Sequence, residues 1–271
     1  MKKTILITGS TDGIGKLTAL RLAAAGHLVY IHGRNPEKVT AVTKEVQQQA
    51  NNPALRGFVA DFSDLGAVRE MSSRVATALP TIDVLINNAG VFNSPEAVNA
   101  DGLDLRVVVN YLAPVLLTQN LLPQLRASTD PRLINLSSAA QAPISLALLS
   151  GKAQTGAQSA YAQSKLALTM WSLAQAQTET DIAVVAVNPG SLLQTKMVAE
   201  AFGTFWGPAD KGAAILERLA IAEDRKTLDG KYFDNDQGDY GTAHPDAYHP
   251  AKIAELRRTT EAVLAQFQEV N

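Results

Sequence analysis

Short apolar runs alternate with longer stretches of helical periodicity through most of this chain, and that alternation leaves few folds open. TILIT (4–8), HLVYIH (27–32), ALRGFVA (54–60), DVLIN (83–87), RLINLS (132–137) and IAVVAVN (182–188) read as strands. Several are apolar on consecutive residues, which suits parallel strands covered on both faces. Between them, Ile14–Ala25 reads as a helix closed by Gly26, a C-cap residue. Asn35-Pro36 opens a second helix with proline in its first turn. Asp64–Leu79 and Asp101–Arg126 follow. Such repetition predicts an α/β fold: one doubly wound parallel sheet with helices on both faces and right-handed crossovers.

After residue 190 the pattern is less regular, with a helix at 209–222, a short strand at Lys231–Phe233 and a last helix near 250–269. No repeat or linker divides the chain. The expectation is therefore a single domain, 1–271, with substrate-side elements in 139–158 and 191–249.

Composition bears mainly on exclusions. At 46% hydrophobic and 18% charged the chain can build a large core. A net charge of -2 gives no reason to expect nucleic acid or an acidic membrane surface as a partner. The absence of cysteine removes disulfides, thiolate catalysis and cysteine-bound metal. The apolar run in MKKTILITGS stops at Gly9, too soon for a cleavable signal, and no segment is expected to reach the ~20 apolar residues of a membrane span. A cytoplasmic protein is the expectation.

The first strand runs into Thr8-Gly9-Ser10-Thr11-Asp12-Gly13-Ile14-Gly15 and then a helix. Glycines at such a turn let backbone amides approach a pyrophosphate, and the helix N-terminus offers unpaired N–H groups. A plain glycine-rich turn has the same composition, but this one stands in the first βα connection, where the mechanism needs it. At the end of the second strand an acidic residue would favour NAD through the ribose 2′-hydroxyl. His32-Gly33-Arg34-Asn35 stands there instead, and the Arg34 guanidinium suits a 2′-phosphate. The expected cofactor is NADP(H), with NAD(H) as the alternative. Tyr161 and Lys165, four apart in YAQSK, share a helix face. A solvated surface pair would have the same spacing.

Taken together, these residues resemble the short-chain dehydrogenase/reductase family and its Rossmann fold, with a further likeness to the retinol-dehydrogenase-like branch in DGKYFDNDQG (229–238). TGSTDGIG (8–15), Asp61, NNAG (87–90), Asn110, the serines 137–138, YAQSK (161–165) and NPG (188–190) occur in the family's order. The resemblance implies an alcohol–carbonyl oxidoreductase with Asn110, Ser138, Tyr161 and Lys165 as catalytic residues. It implies cofactor contacts from Gly9, Ser10, Thr11, Asp12, Gly13, Ile14, Gly15, Arg34, Asn35, Asp61, Phe62, Asn88, Ala89, Gly90, Tyr161, Lys165, Pro189, Gly190 and Thr195, and no metal. Asp61 would hold the adenine, and Asn110 would hold a water that relays protons to Lys165. The family also implies a homodimer or homotetramer acting on a small carbonyl or alcohol.

In this reading the Lys165 ammonium lowers the phenol pKa of Tyr161 from its free value near ~10, bringing it toward the operating pH. Two departures stand out. The segment between Ser138 and Tyr161 is longer than is commonest in the family, and is expected to form a loop over the substrate cleft. Thr195 lies one residue further beyond Gly190 than usual. Ile144, Leu146, Leu148 and Leu149 suit either a hydrophobic mouth or ordinary packing, and Trp206 is placed in a flap near the substrate.

His27, His32, His244 and His249 show no metal-site spacing and read as surface or packing residues. A G-x-S-x-G hydrolase elbow is missing. Two rival functions remain: a dinucleotide-binding redox sensor without turnover, which would not need a tuned phenol, and a nucleotide-sugar epimerase or dehydratase, which usually brings a longer C-terminal half.

Overall fold

The computed structural model describes residues 2–267. The chain runs through β1 (Thr4–Ile7), α1 (Gly13–Ala24), β2 (Leu28–Gly33), α2 (Pro36–Gln49), β3 (Arg56–Val59), α3 (Leu65–Ala78) and β4 (Val84–Asn87). A long helical segment follows, made of α4 (Leu105–Val107), a π-turn (Val108–Leu112) and α5 (Ala113–Arg126). Then come β5 (Arg132–Leu136), α6 (Leu146–Leu149), α7 (Ala157–Thr178) and β6 (Ala183–Asn188). The C-terminal part holds β7 (Leu193–Gln194), α8 (Lys196–Phe202), β8 (Gly207–Pro208), α9 (Ala209–Glu217), α10 (Arg225–Leu228), β9 (Lys231–Asp234), β10 (Asp239–Gly241) and α11 (Pro250–Leu264).

Eight strands form one sheet in the order β10-β9-β6-β5-β4-β1-β2-β3, the doubly wound arrangement. Its neighbours are parallel except β10, which returns antiparallel to β9. The sheet is therefore mixed at one edge, where a purely parallel one was expected. The connection from Asp234 to Asp239 is a tight turn, too short for the crossover that a parallel return needs.

The consecutive apolar strand residues have a simple cause. Ile5, Ile7, Val84, Ile86, Ile134, Val185 and Val187 face one core with α1, α2 and α9. Leu6, Leu85, Leu133, Val184 and Ala186 face the other, with α3, α5 and α7. Adjacent strand side chains point to opposite faces, and both faces are covered. Helix starts follow local capping: Asp12 accepts from Gly13 N at 2.8 Å, Asn35 from Lys38 N at 2.7 Å and Asp64 from Gly66 N at 2.8 Å.

Several expected boundaries move. The helix expected from Asp101 starts at Leu105, because Asp104 caps it by accepting from Arg106 N at 2.8 Å. Its 22 residues to Arg126 are long and apolar enough to cross a membrane, contrary to the expectation that no segment reaches that length. Of the apolar window, 78% is buried against the rest of this domain, as in a core helix. The helix expected over 209–222 gives way to a π-turn at Arg218–Ala222. The last helix is α-helical to Leu264 and 3₁₀ from Ala265 to Phe267; residues 268 and 269 lie outside the described residues.

Candidate active site

A cavity of about 410 Å³ opens at the carboxyl ends of the strands, where the chain order reverses between β1 and β4. Gly9, Thr11, Asp12, Gly13, Ile14 and Gly15 line it, as the glycine turn requires. Gly9 has φ +61°, and a Cβ there would stand 2.6 Å from Ala89 Cα. A Cβ on Gly15 would lie 2.7 Å from Gly9 O. Only glycine allows the turn to close this tightly. Asn88 fastens it by donating from Nδ2 to Thr8 O and Gly9 O at 2.8 and 2.9 Å. Ser10, expected at the cofactor, turns its side chain inward instead. It is fully buried, donates to Ile7 O at 2.7 Å and accepts from His32 N at 2.9 Å.

His32 completes that brace. Its Nδ1 accepts from Gly9 N at 3.1 Å and its Nε2 meets Ala60 O at 3.0 Å, an arrangement that assigns the proton to Nε2. Burial pushes its pKa down to about 4 against the opposing Ala60 bond, so the ring is neutral. It stacks on Phe62 with centroids 4.2 Å apart.

Next to the turn, Arg34 is exposed and has no partner among the described residues, while Lys38 pairs with Asp12 at 2.7 Å. That bond lowers the Asp12 pKa against the effect of partial burial. Arg34, Lys38 and Lys196 also line an adjoining groove with Thr11 and Asn35. Asn35 does not line the main cavity; its side chain is spent on the α2 cap. Asp61 and Phe62 do line it, and Asp61 keeps Oδ1 on Ser63 N and Oγ at 2.9 and 2.8 Å.

At the other end stand Tyr161 and Lys165, one turn apart on α7. The Lys165 ammonium lies 5.6 Å from the Tyr161 ring centroid and donates to Leu136 O at 2.7 Å. The Ser138 hydroxyl stands close enough to the phenol to act on its pKa. Burial raises the Tyr161 pKa, and the Ser138 hydroxyl opposes it without reversing it. The expected lowering by Lys165 is thus corrected. The ammonium is engaged by the Leu136 carbonyl, and burial is the larger influence on the phenol. Burial also brings Lys165 itself down to about 8.

Ser138 and Ser137 separate clearly. Ser137 is buried and tied to Thr169 Oγ1 at 2.5 Å, whereas Ser138 reaches the phenol. Ser138 O is held by Tyr232 OH at 3.1 Å and Gln141 Nε2 at 2.9 Å. Asn110 sits in the π-turn, a helix defect common at functional sites. Its Oδ1 accepts from Val91 N at 2.7 Å, and Nδ2 donates to Val91 O and Ser164 Oγ, each at 3.0 Å. The amide therefore bonds a local carbonyl. A Cβ on Gly90 would stand 3.4 Å from Asn110 Oδ1 and 3.6 Å from Lys165 Nζ, so glycine keeps that gap open.

Pro189 and Thr195 line the cavity, but Gly190 does not. The extra residue before Thr195 is taken up by Leu192, which has φ 46°. Thr195 still reaches the turn, with Cγ2 3.4 Å from where a Gly13 Cβ would be. The 139–158 segment does not cover this cleft. Leu148 and Leu149 are buried in the core, and Ser145 N donates to Gln163 Oε1 on α7 at 2.9 Å. Trp206 is 76% exposed beyond α8 and does not line the cavity.

Lys38, Lys196, His32 and Phe92 line the cavity without having been expected there. Lys38 lies three residues past a helix cap and could have been placed from that spacing. Phe92, whose ring lies 4.9 Å from that of Tyr161 and 5.2 Å from that of Phe202, carries no local signal.

Comparison with known proteins bears on the same region. Mouse (Mus musculus) retinol dehydrogenase 13 is 34% identical over 251 residues, covering 86% of this chain and 75% of that one. Human (Homo sapiens) retinol dehydrogenase 11 is 32% identical over 244 residues, covering 85% and 76%. A protein of Escherichia coli CFT073, crystallised with NADPH, superposes with a TM-score of 0.72 at 26% identity, covering 86% of this chain and 96% of that one. Residues 3–204 match the short chain dehydrogenase family. With the strand order, this places the chain in the short-chain dehydrogenase family of oxidoreductases, on the branch that resembles the retinol dehydrogenases.

Proposed function

We propose that the chain is an NADP(H)-dependent oxidoreductase that interconverts an alcohol and an aldehyde or ketone. The observation that carries this is that Tyr161 and Lys165, with the ammonium 5.6 Å from the phenol ring centroid, line one end of a cavity whose other end is the glycine turn. The cleft suits a dinucleotide: close-packed glycines bring backbone to its floor, unpaired Arg34 stands at one end, and the phenol stands at the other. Bound NADPH would supply the hydride.

The protein's own residues do the rest. Arg34, Lys38 and Thr11 present cations and a hydroxyl where a 2′-phosphate would lie. Asp61, which lines the cavity, would hold the adenine, and the Asn88–Gly90 turn forms a wall. Ser138 donates a hydrogen bond to the substrate oxygen and orients it. Tyr161 gives that oxygen its proton. Lys165 holds positive charge beside the phenol, which stabilises the phenolate left behind. Asn110 fixes Val91 and the π-turn, and its Oδ1 borders the gap beside Gly90 through which a water would resupply protons.

The test is NADPH and NADH oxidation against a panel of aldehydes and ketones. NADPH-dependent turnover is expected, with Tyr161→Phe lowering kcat by about 10²–10⁴-fold, the usual scale of general acid catalysis. Turnover that survives this substitution would refute the mechanism, and a preference for NADH would refute the Arg34 assignment. Binding of NADPH without turnover on any substrate would favour the sensor.

A further inference from the structure

The turn Asn188-Pro189-Gly190-Ser191 leaves β6 beside the catalytic end of the cleft, and Pro189 lines the cavity. Within the turn Gly190 N donates to Asn188 Oδ1 at 3.2 Å, while Gly190 has φ +121° and Leu192, two residues on, has φ 46°. Backbone in that region is costly for a side-chain-bearing residue unless the surroundings hold it.

Most of what holds this turn comes from a remote part of the chain. Asn188 Nδ2 donates to Asp234 Oδ1 at 2.8 Å and to Asp236 Oδ2 at 2.9 Å. Asn235 Nδ2 donates to Pro189 O at 2.8 Å, and Asn235 N to Asn188 O at 3.0 Å. Asp236 then takes both donors of Ser191: the backbone N at 2.8 Å on Oδ1, and the hydroxyl at 2.5 Å on Oδ2. Asp236 is itself aligned by its own N–H, which donates to Asp234 Oδ1 at 3.1 Å.

Asp236 is an exposed residue in the β9–β10 turn, more than forty positions from the segment it grips. An exposed carboxylate that spent its lone pairs only on solvent would be ordinary. This one accepts three hydrogen bonds from two residues of a single turn. Partial burial pulls its pKa up, but the Ser191 and Asn188 donors and the charge of Lys211 more than offset that, so it stays ionised.

We propose that Asp236, assisted by Asn235, is a positioning residue for the nicotinamide end of the cleft. It sets where Pro189 stands and so shapes the wall against which the reacting ring is held. This rests on the NADP(H) reading above. It also gives the DNDQG stretch a job that neither the glycine turn nor the tyrosine site requires.

The experiment compares two ligands that share one end of the cleft. NADPH would span both ends, while 2′,5′-ADP would fill only the end near Arg34. Equilibrium binding of each is measured on the full chain for wild type, Asp236→Ala and Asp236→Asn, with thermal melting alongside. Asp236→Ala is expected to weaken NADPH by about tenfold, the scale of a lost charge-assisted hydrogen bond, and to leave 2′,5′-ADP within about twofold. Asp236→Asn keeps an oxygen for Ser191 N–H and is expected to fall between. Equal weakening of both ligands would mean a general structural role and overturn the assignment, as would an unchanged NADPH affinity. A wild-type protein that binds neither ligand would instead remove the dinucleotide reading on which the assignment stands.

Discussion

Lys165 gives the sharpest quantitative handle on this site. It is 4% exposed, and burial lowers its pKa from 10.5 to about 8. At ~1.36 kcal/mol per pH unit, that fall means the folded state carries the protonated lysine at a cost of about 3 kcal/mol near neutral pH. The sign follows from proton counting. Between about 8 and 10.5 the unfolded chain binds more protons at this position than the folded one, so stability rises with pH through that window. Integrating from about pH 7 to about pH 9.5 recovers roughly 2 kcal/mol of the penalty. Lys165→Met keeps the length and apolar stem but has no charge, so it lacks this slope. The variant also leaves Leu136 O without its 2.7 Å donor. That loss is independent of pH and drops out when profiles are compared. Urea unfolding of both proteins at several pH values, stopping below the ordinary tyrosine range, should show wild type gaining about 2 kcal/mol on the variant as pH rises. Parallel profiles within about 0.5 kcal/mol would show that Lys165 is not held against its charge and would refute the reasoning. The variant should lose turnover even where it is as stable as wild type.

Other perturbations test the frame around that pair. Gly9→Ala would put a Cβ 2.6 Å from Ala89 Cα at φ +61°, and should cost about 2–5 kcal/mol from the left-handed backbone and the overpacking together. Thermal melting should fall by several degrees and NADPH binding should be lost; a variant that binds normally would mean that the turn has room to shift. Tyr232→Phe removes the 3.1 Å donor to Ser138 O while Gln141 keeps its own, so it should cost about 1 kcal/mol of stability. It should lower kcat several-fold and leave NADPH affinity alone; weakened NADPH binding would show that Tyr232 does more than hold the serine.

The parts legible in the sequence are those that local physics decides. Consecutive apolar runs locate the strands because both faces of the sheet are covered. The glycines at 9 and 15 mark a turn because no other residue leaves room beside Ala89 and Asn88, and Gly13 because its φ is +48°. Tyr161 and Lys165 share a helix face by spacing alone. What was hidden depends on segments far apart in the chain. Ser10 turns inward because His32 arrives from β2 to be braced. The 139–158 segment packs on α7 and into the core because its leucines find partners there, which no count of intervening residues reveals. The antiparallel β10 follows from a tight turn beyond β9, and Asp236 meets Ser191 only because β9 is the neighbour of β6.

The pKa of Tyr161 is where the two levels pull apart, and the difference bears on chemistry. Sequence spacing puts a cation beside a phenol and so implies easier ionisation. The fold puts both groups where water is scarce, and desolvation disfavours the charged form of each. The phenol is raised and the ammonium lowered, both toward neutrality. A phenol held above its ordinary value is protonated through the neutral range, so its resting state is that of a proton donor. This suits the proposed carbonyl reduction, in which Tyr161 would begin as an acid. Alcohol oxidation would need the phenolate first, and burial opposes forming it. On the proposed mechanism the Lys165 charge would act mainly after the proton has left, when there is a phenolate to stabilise.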